Sequence, residues 1–413
     1  MKRLQSRYLI IIVAYSVLLL TVPYLLDCNN YNRAPREQYL LRDFPKEVED
    51  PRSTQGGDAN SSTPGTVVNK KQHVYLHATW RTGSSFAGEL FNQHPRVFYL
   101  YEPMWLMWQA LYPGDAESLQ GAVRDMLRSL FQCDFSVLKL YSSPGPSGSL
   151  TTRTIFGWRN NKVICSAPLC SAYKKERVEL VDASVCEKQC APRDIKELET
   201  ECRKYDVIVI KDVRVLDAGI LLPLMQDPSL NFKVVQLVRD PRAVHNSRMK
   251  SKLSLVKESI QVLRSKKRQG KDQRAIPSRS QRADTYVSNA LEVICEAWSR
   301  DQVLVRSSPA WITQRYLTIR YEDLVLEPVD GLRTLYTFAS LTATPSTEKY
   351  VLNMTRGIGY SSDKPFLISS RDAKEAISAW KKRLSLVQIE QVEQKCQKAM
   401  KLLGYQLTNE HYT

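Results

Sequence analysis

Hydrophobic positions along the chain fall into short unbroken runs separated by amphipathic stretches. Four runs read as buried strands: His73–Ala78, Asp206–Lys211, Phe232–Val238 and Tyr316–Arg320. A shorter run, Val97–Leu100, reads as another. Helical spacing recurs between and after them, over Phe86–Gln93, Leu119–Phe131, Ser288–Val303 and Ala373–Leu403. In the second of these, Val123, Met126, Leu127 and Leu130 share one face. Short apolar strands alternating with helices predict an α/β fold with a mainly parallel sheet flanked by helices. Such sheets bind ligands beyond the carboxyl ends of their strands, so residues following each strand are the candidates for chemistry.

Before the first strand the pattern changes twice. Tyr8–Leu26 carries no charge, and 19 helical residues rise roughly 28 Å, about one bilayer core. Lys2, Arg3 and Arg7 precede it without an acidic residue, which by the positive-inside rule predicts a cytosolic tail at 1–7 and a transmembrane signal-anchor at 8–26. A cleaved secretory signal is the alternative, although no clear small-x-small site follows. Residues 27–71, with Ser53-Thr54-Gln55-Gly56-Gly57 and Ser61-Ser62-Thr63-Pro64-Gly65, have the composition of a flexible stem on the far side of the membrane. A globular domain then runs over 72–407, with a short tail at 408–413. Asn60 and Asn353 each open an N-glycosylation acceptor sequence on the side the anchor makes luminal.

Composition narrows the class without naming it. The 413 residues are 43% hydrophobic and 25% charged with mean hydropathy −0.35, which excludes a disordered chain, a collagen and a many-span membrane protein. Fifty-nine Lys and Arg against 43 Asp and Glu give +16, the balance of a protein with an acidic partner. The charge is uneven: Arg248–Arg282 holds twelve Lys or Arg against Glu258 and Asp272, giving +10. The segment 249–281 is expected to be a basic insert, either a mobile arm that captures an anionic chain or a solvated disordered loop. Of nine cysteines, Cys133, Cys165, Cys170, Cys186, Cys190, Cys202, Cys295 and Cys396 are an even set in the folded part. Disulfides are favoured over zinc, because Cys165, Cys170, Cys186 and Cys190 lack two-residue knuckles and an accompanying His. Cys28, left over in the stem, either links two chains into a homodimer or stays a free or acylated thiol.

Two strand ends look built for phosphate. The first strand runs into Thr79-Trp80-Arg81-Thr82-Gly83-Ser84-Ser85-Phe86 and a helix, placing a turn glycine, hydroxyls, a cation and helix N-terminal amides together. The Walker A spacing is absent, which lowers an ATPase or GTPase reading. The third ends in Arg239-Asp240-Pro241-Arg242 and opens a helix at Ala243-Val244-His245-Asn246-Ser247-Arg248. Arg239, Arg242, Ser247 and Arg248 are candidates for a second basic pocket.

At these residues the chain resembles the Golgi carbohydrate sulfotransferases, in particular the galactose, N-acetylgalactosamine and N-acetylglucosamine 6-O-sulfotransferase family. The likeness extends through Phe91-Asn92-Gln93-His94-Pro95, Tyr99-Leu100-Tyr101-Glu102-Pro103, Leu111-Tyr112-Pro113-Gly114-Asp115, Arg320-Tyr321-Glu322-Asp323-Leu324 and Asn353-Met354-Thr355-Arg356-Gly357. It implies a P-loop-like sulfotransferase fold over 72–407, the co-substrate 3′-phosphoadenosine 5′-phosphosulfate, a glycan acceptor and a Golgi membrane location. It also implies that Trp80, Arg81, Thr82, Gly83, Ser84, Ser85 and Phe86 hold the 5′-phosphosulfate. Arg239, Asp240, Pro241, Arg242, Ala243, Val244, His245, Asn246 and Ser247 would form the 3′-phosphate loop. Arg81 stands where related sulfotransferases carry a catalytic Lys or Arg, and Thr82 replaces their commoner Ser while keeping the hydroxyl.

Sulfuryl transfer needs a fixed cation at the leaving oxygen and a base for the acceptor hydroxyl. Arg81 supplies the cation. Glu102, at the end of the short Val97–Leu100 run, is the candidate base, with a carboxylate pairing to an arginine as the plainer alternative. His245 is the competing base. His94 reads as a turn residue, and Glu322 with Asp323 as structural. No Asp-x-Asp, His-Glu-x-x-His or EF-hand pattern recommends a metal. The expected function is sulfate transfer to the 6-hydroxyl of an N-acetylhexosamine, in chondroitin or an N-acetylglucosamine-bearing chain. An anchored acidic-glycan receptor without catalysis, or another nucleotide-dependent luminal transferase, is the alternative. Nucleic acid is not an expected partner, since the anchor places the basic surface away from it.

Overall fold

The computed structural model of the chain describes residues 71–112, 114–142, 150–155, 161–268, 282–357 and 368–408. The expected anchor, the stem, Asn60 and Cys28 lie outside the described residues. Among those described, no helix is long and apolar enough to cross a membrane.

Five strands, β1 (Gln72–His77), β2 (Val97–Tyr101), β3 (Val207–Asp212), β4 (Asn231–Val238) and β5 (Tyr316–Arg320), pair in the order β2-β3-β1-β4-β5. Every pairing is parallel, and the register sets Tyr75 beside Ile210 on one side and Val234 on the other. The central strands are apolar runs because both faces are covered: Val74, Tyr75, Ile208, Val209, Val234 and Val235 are fully buried. The predicted strands are all present, displaced by one residue at most at either end, and the Val97–Leu100 run becomes β2.

Among the described residues the helices of eight or more residues are α1 (Ser84–Asn92), α2 (Gln120–Phe131), α3 (Ile195–Cys202), α4 (Pro241–Lys250), α5 (Lys252–Arg268), α6 (Arg282–Arg306), α7 (Pro328–Phe338), α8 (Pro345–Thr355) and α9 (Leu386–Leu403). On β1, His73 meets the Phe131 ring of α2 edge-on at 5.6 Å, and His77 bonds Asp301 of α6 at 3.1 Å. Helix α1 packs on β2 and β3, and α6 lies against α4, α5 and α9. The eight cysteines pair as Cys133–Cys202, Cys165–Cys186, Cys170–Cys190 and Cys295–Cys396, so the four that resembled a zinc set form two disulfides.

Two expectations are corrected. Ala373–Leu403 is not one helix but Ala373–Ser378, Trp380–Arg383 and α9, because Ser385 and Gln388 form a reciprocal capping box that restarts the chain. The basic insert is neither arm nor loop over Lys252–Arg268, which is α5. Leu255 and Val262 are buried, and the helix packs against α6. The charge run masked this apolar stripe at helical spacing; residues 269–281 lie outside the described residues.

Candidate active site

The carboxyl ends of all five strands open on one cavity of about 550 Å³, within the range of small-ligand sites. Trp80, Arg81, Gly83, Ser84, Ser85 and Phe86 line it after β1. Thr82 does not, since its side chain is buried and its hydroxyl donates to Thr79 O at 2.9 Å. Arg81 and Gly83 take φ of 77° and 94°, the left-handed region, and a Cβ on Gly83 would lie 2.3 Å from Tyr321 Cδ2. Only glycine fits there. No side chain caps α1 and its first turn has no acidic residue. Its N-terminal amides at Ser84 and Ser85 therefore point an uncompensated positive dipole at the cavity.

The loop after β4 supplies less than expected. Arg239 and Ser247 line the cavity, whereas Asp240, Pro241, Arg242, Ala243, Val244, His245 and Asn246 do not. Arg242 is held by Asp240 at 2.8 Å and Glu393 at 2.7 Å, with its guanidinium 4.2 Å from the centre of the Trp380 ring, and is structural. Asp240 caps its own helix by accepting from Arg242 N at 2.8 Å. Arg248, expected in the pocket, is buried behind it and donates to Ser259 Oγ at 2.9 Å. Burial, with Arg81 nearby and Glu258 opposing, pulls its guanidinium down to about 10. His245 is likewise buried off the cavity. Burial first, then Arg248 and Lys395, lowers its imidazole to about 4, so it is neutral at physiological pH.

Arg239 is poised differently. It donates to Arg81 O at 3.2 Å and Ala376 O at 2.9 Å, and stands 4.6 Å over the Tyr321 ring. Among the described residues its Nε–H is buried and unpartnered, an orphan donor. Trp80 Nε1 is another. The guanidinium groups of Arg81, Arg214 and Arg239 around one cavity fit an anion with strong acceptor oxygens. Glu322, read as structural, supports this loop by accepting from Asp240 N at 3.1 Å and from Tyr405 OH at 2.8 Å. Asp323 faces Arg320 at 3.7 Å.

Glu102 lines the cavity from the end of β2 at φ 47°, a strained value for a non-glycine residue. Lys211 Nζ bonds its Oε1, and Arg214 Nη1 its Oε2 at 3.0 Å. Burial alone would raise this carboxyl; Lys211 and Arg214 overcome it and hold it down to about 2. Glu102 also keeps Lys211 charged against burial. Arg214 is shared with Asp212 Oδ1 at 3.1 Å, and Ser85 Oγ sits 3.1 Å from Tyr101 OH. Sequence reasoning missed Lys211 and Arg214. The signal was present, since Lys211 closes the predicted Asp206–Lys211 run and Arg214 follows β3 by two residues. Glu258 of α5 and Arg371 also line the cavity and were not anticipated.

A parallel sheet whose strand ends join an uncapped helix N-terminus to a second cationic loop is the architecture of a sulfotransferase. The model of the "Sulfotransferase domain" family matches residues 71–404. The chain is 50% identical to mouse carbohydrate sulfotransferase 7 across 98% of this chain and 93% of that protein. It is 49% identical to human carbohydrate sulfotransferase 2 across 84% of this chain and 67% of that protein. A solved sulfotransferase domain from the curacin biosynthetic pathway is similar at TM-score 0.42 and 14% identity, covering 82% of this chain and 99% of that one. The protein belongs to the carbohydrate sulfotransferase family.

Proposed function

We propose that this enzyme transfers the sulfuryl group of 3′-phosphoadenosine 5′-phosphosulfate to the 6-hydroxyl of an N-acetylhexosamine, N-acetylgalactosamine of chondroitin or N-acetylglucosamine, within a glycan. The observation that carries the reading is the meeting of Arg81, Arg239, Ser247 and the open α1 N-terminus with Glu102 in one cavity. The donor supplies a sulfuryl group on a phosphate leaving group: the acceptor oxygen bonds to sulfur as the bond from sulfur to the 5′-phosphate oxygen breaks. Arg81, Ser84, Ser85 and the α1 amides hold the 5′-phosphosulfate, where charge develops on the leaving oxygen. Arg239 and Ser247 hold the 3′-phosphate from the stretch of cavity wall that both line.

Glu102 takes the acceptor proton. A carboxylate held near 2 is a weak base toward a free alcohol. Bond formation to sulfur makes that proton strongly acidic, so a fully ionised, fixed acceptor suffices late in the reaction. Lys211 and Arg214 keep Glu102 charged and aim its oxygens. The plainer sequence reading, an arginine-paired carboxylate, and the base role thus coexist in one residue.

The setting belongs to the same proposal: a Golgi membrane, residues 8–26 as anchor, the catalytic domain luminal, glycosylation at Asn60 and Asn353, and a second copy of the chain linked through Cys28. Four disulfides support an oxidising compartment. Asn353 is exposed on the last turn of α8. The deciding experiment incubates the purified protein with labelled donor and defined glycans, then locates sulfate by disaccharide analysis. Label at C6 of an N-acetylhexosamine is expected; label elsewhere only, or donor binding without transfer, would refute the assignment.

A further inference from the structure

Glu258 stands in the same cavity wall, one turn along α5 from Ser254 and Leu255, which also line it. Residues three and four apart share a helix face, so α5 turns this face to the site. The wall is otherwise cationic, with Arg81, Arg153, Arg214, Arg239 and Arg371; among the described lining residues only Glu102 shares the sign of Glu258. An acidic group opposes the binding of donor phosphates and has another use.

Its contacts show which. The Glu258 side chain is 14% exposed, and its nearest cation is Arg214 Nη2, 4.0 Å from Oε1, beyond hydrogen-bond reach. Among the described residues it accepts no hydrogen bond, although a carboxylate offers about four acceptor sites. The other end of that guanidinium, Nη1, grips Glu102 Oε2 at 3.0 Å. One arginine thus spans two carboxylates of unequal engagement: Glu102 is held by two cations, and Glu258 is open to the cavity.

We propose that Glu258 is a specificity-determining residue that reads the acceptor sugar beside the reacting hydroxyl. It accepts a hydrogen bond from a neutral hydroxyl next to the one presented to Glu102, and it rejects an acceptor whose neighbouring hydroxyl already carries sulfate. A hydroxyl satisfies the idle acceptor oxygens; a sulfate brings like charges together and offers no donor. The inference rests on the reading of the cavity as a sulfuryl-transfer site for a sugar hydroxyl.

The test compares short chondroitin oligosaccharides, unsulfated and sulfated at O4 of the N-acetylgalactosamine, by calorimetric binding to the protein saturated with 3′-phosphoadenosine 5′-phosphate. The readout is the ratio of the two affinities, which cancels general attraction of anions to a basic surface. Glu258→Gln is expected to shift that ratio about tenfold toward the sulfated ligand, a change of about 1.4 kcal/mol, while Glu258→Asp keeps the wild-type ratio. The same ratio in wild type and Glu258→Gln overturns the proposal. So does a wild type without preference for the unsulfated ligand, whether or not the variants fold. Absence of sulfate transfer by wild type would refute the functional reading separately, since the binding ratio needs no turnover.

Discussion

The Nε–H of Arg81 donates to Ser247 Oγ at 2.9 Å, joining residues 166 positions apart. The cation of the loop after β1 therefore rests on the helix that follows β4, and Arg239 returns the contact through Arg81 O. The two loops to which donor binding is assigned by proposal form one unit. Arg81→Ala should lower kcat/KM about 10²–10³-fold with little change in unfolding temperature, the usual cost of losing one transition-state donor. Ser247→Ala should act mainly on the donor KM. Initial rates at varied donor concentration, with a thermal melt as control, separate the two effects.

Glu102→Gln is expected to keep donor affinity while lowering kcat by at least about 10², as removal of a proton acceptor does. His245→Asn, off the cavity, should change kcat far less. Because Lys211 and Arg214 hold the Glu102 carboxyl near 2, below its ordinary 4.5, its contribution to stability is present above pH 4.5 and lost as pH falls toward 2. No acid limb from this residue should appear in activity above about pH 4. Lys211→Met removes one of the two cations, so a pH–rate profile should show that limb moving upward.

Gly83→Ala places a methyl against Tyr321 at a φ of 94°. Backbone strain and overpacking together should cost about 2–4 kcal/mol in urea unfolding. Displacement of Tyr321 also disturbs Arg239 above it, so donor affinity should fall in the same variant.

Tyr405→Phe withdraws the hydroxyl that orients Glu322, which in turn accepts from Asp240 N. The lost hydrogen bond is worth about 1–1.5 kcal/mol, and the donor KM should rise about fivefold to tenfold. A kcat within about twofold of wild type at saturating donor, with acceptor KM unchanged, would mark Tyr405 as a positioning residue. Equal losses in all three constants would contradict that role.

The disulfide Cys295–Cys396 closes a loop of sequence separation 101 between α6 and α9. A double Cys295→Ala, Cys396→Ala variant should lose about 4–5 kcal/mol by the loop-entropy relation, measured by urea unfolding. Helix α9 should loosen first, visible as faster amide exchange.

Much of the fold was legible because its signals are local. Apolar runs over β1, β3 and β4 signal buried strands, the edge strand β5 being only partly buried, and Gly83 and Pro241 announce the turns that follow β1 and β4. The division of Ala373–Leu403 was missed although Ser385 and Gln388 hold the capping signal, because apolar residues continue at helical spacing across it. Helix α5 was missed because its positive charges outweighed the buried Leu255 and Val262.

By itself the sequence determined the parallel sheet, the two loops at its strand ends, the family resemblance and an even set of cysteines. These follow from periodicity, backbone conformational limits and short motifs, all of which act between near neighbours. Only the tertiary structure decided which loop residues face the cavity: it kept Arg239 and Ser247 and turned Arg242, His245 and Arg248 away. It also chose the cysteine partners and set Lys211, Arg214 and Glu258 around Glu102. Those choices depend on which side of a helix or strand end meets a partner far along the chain. Desolvation and charge pairing, which set the ionisation of Glu102 and His245, exist only once such distant groups are packed together.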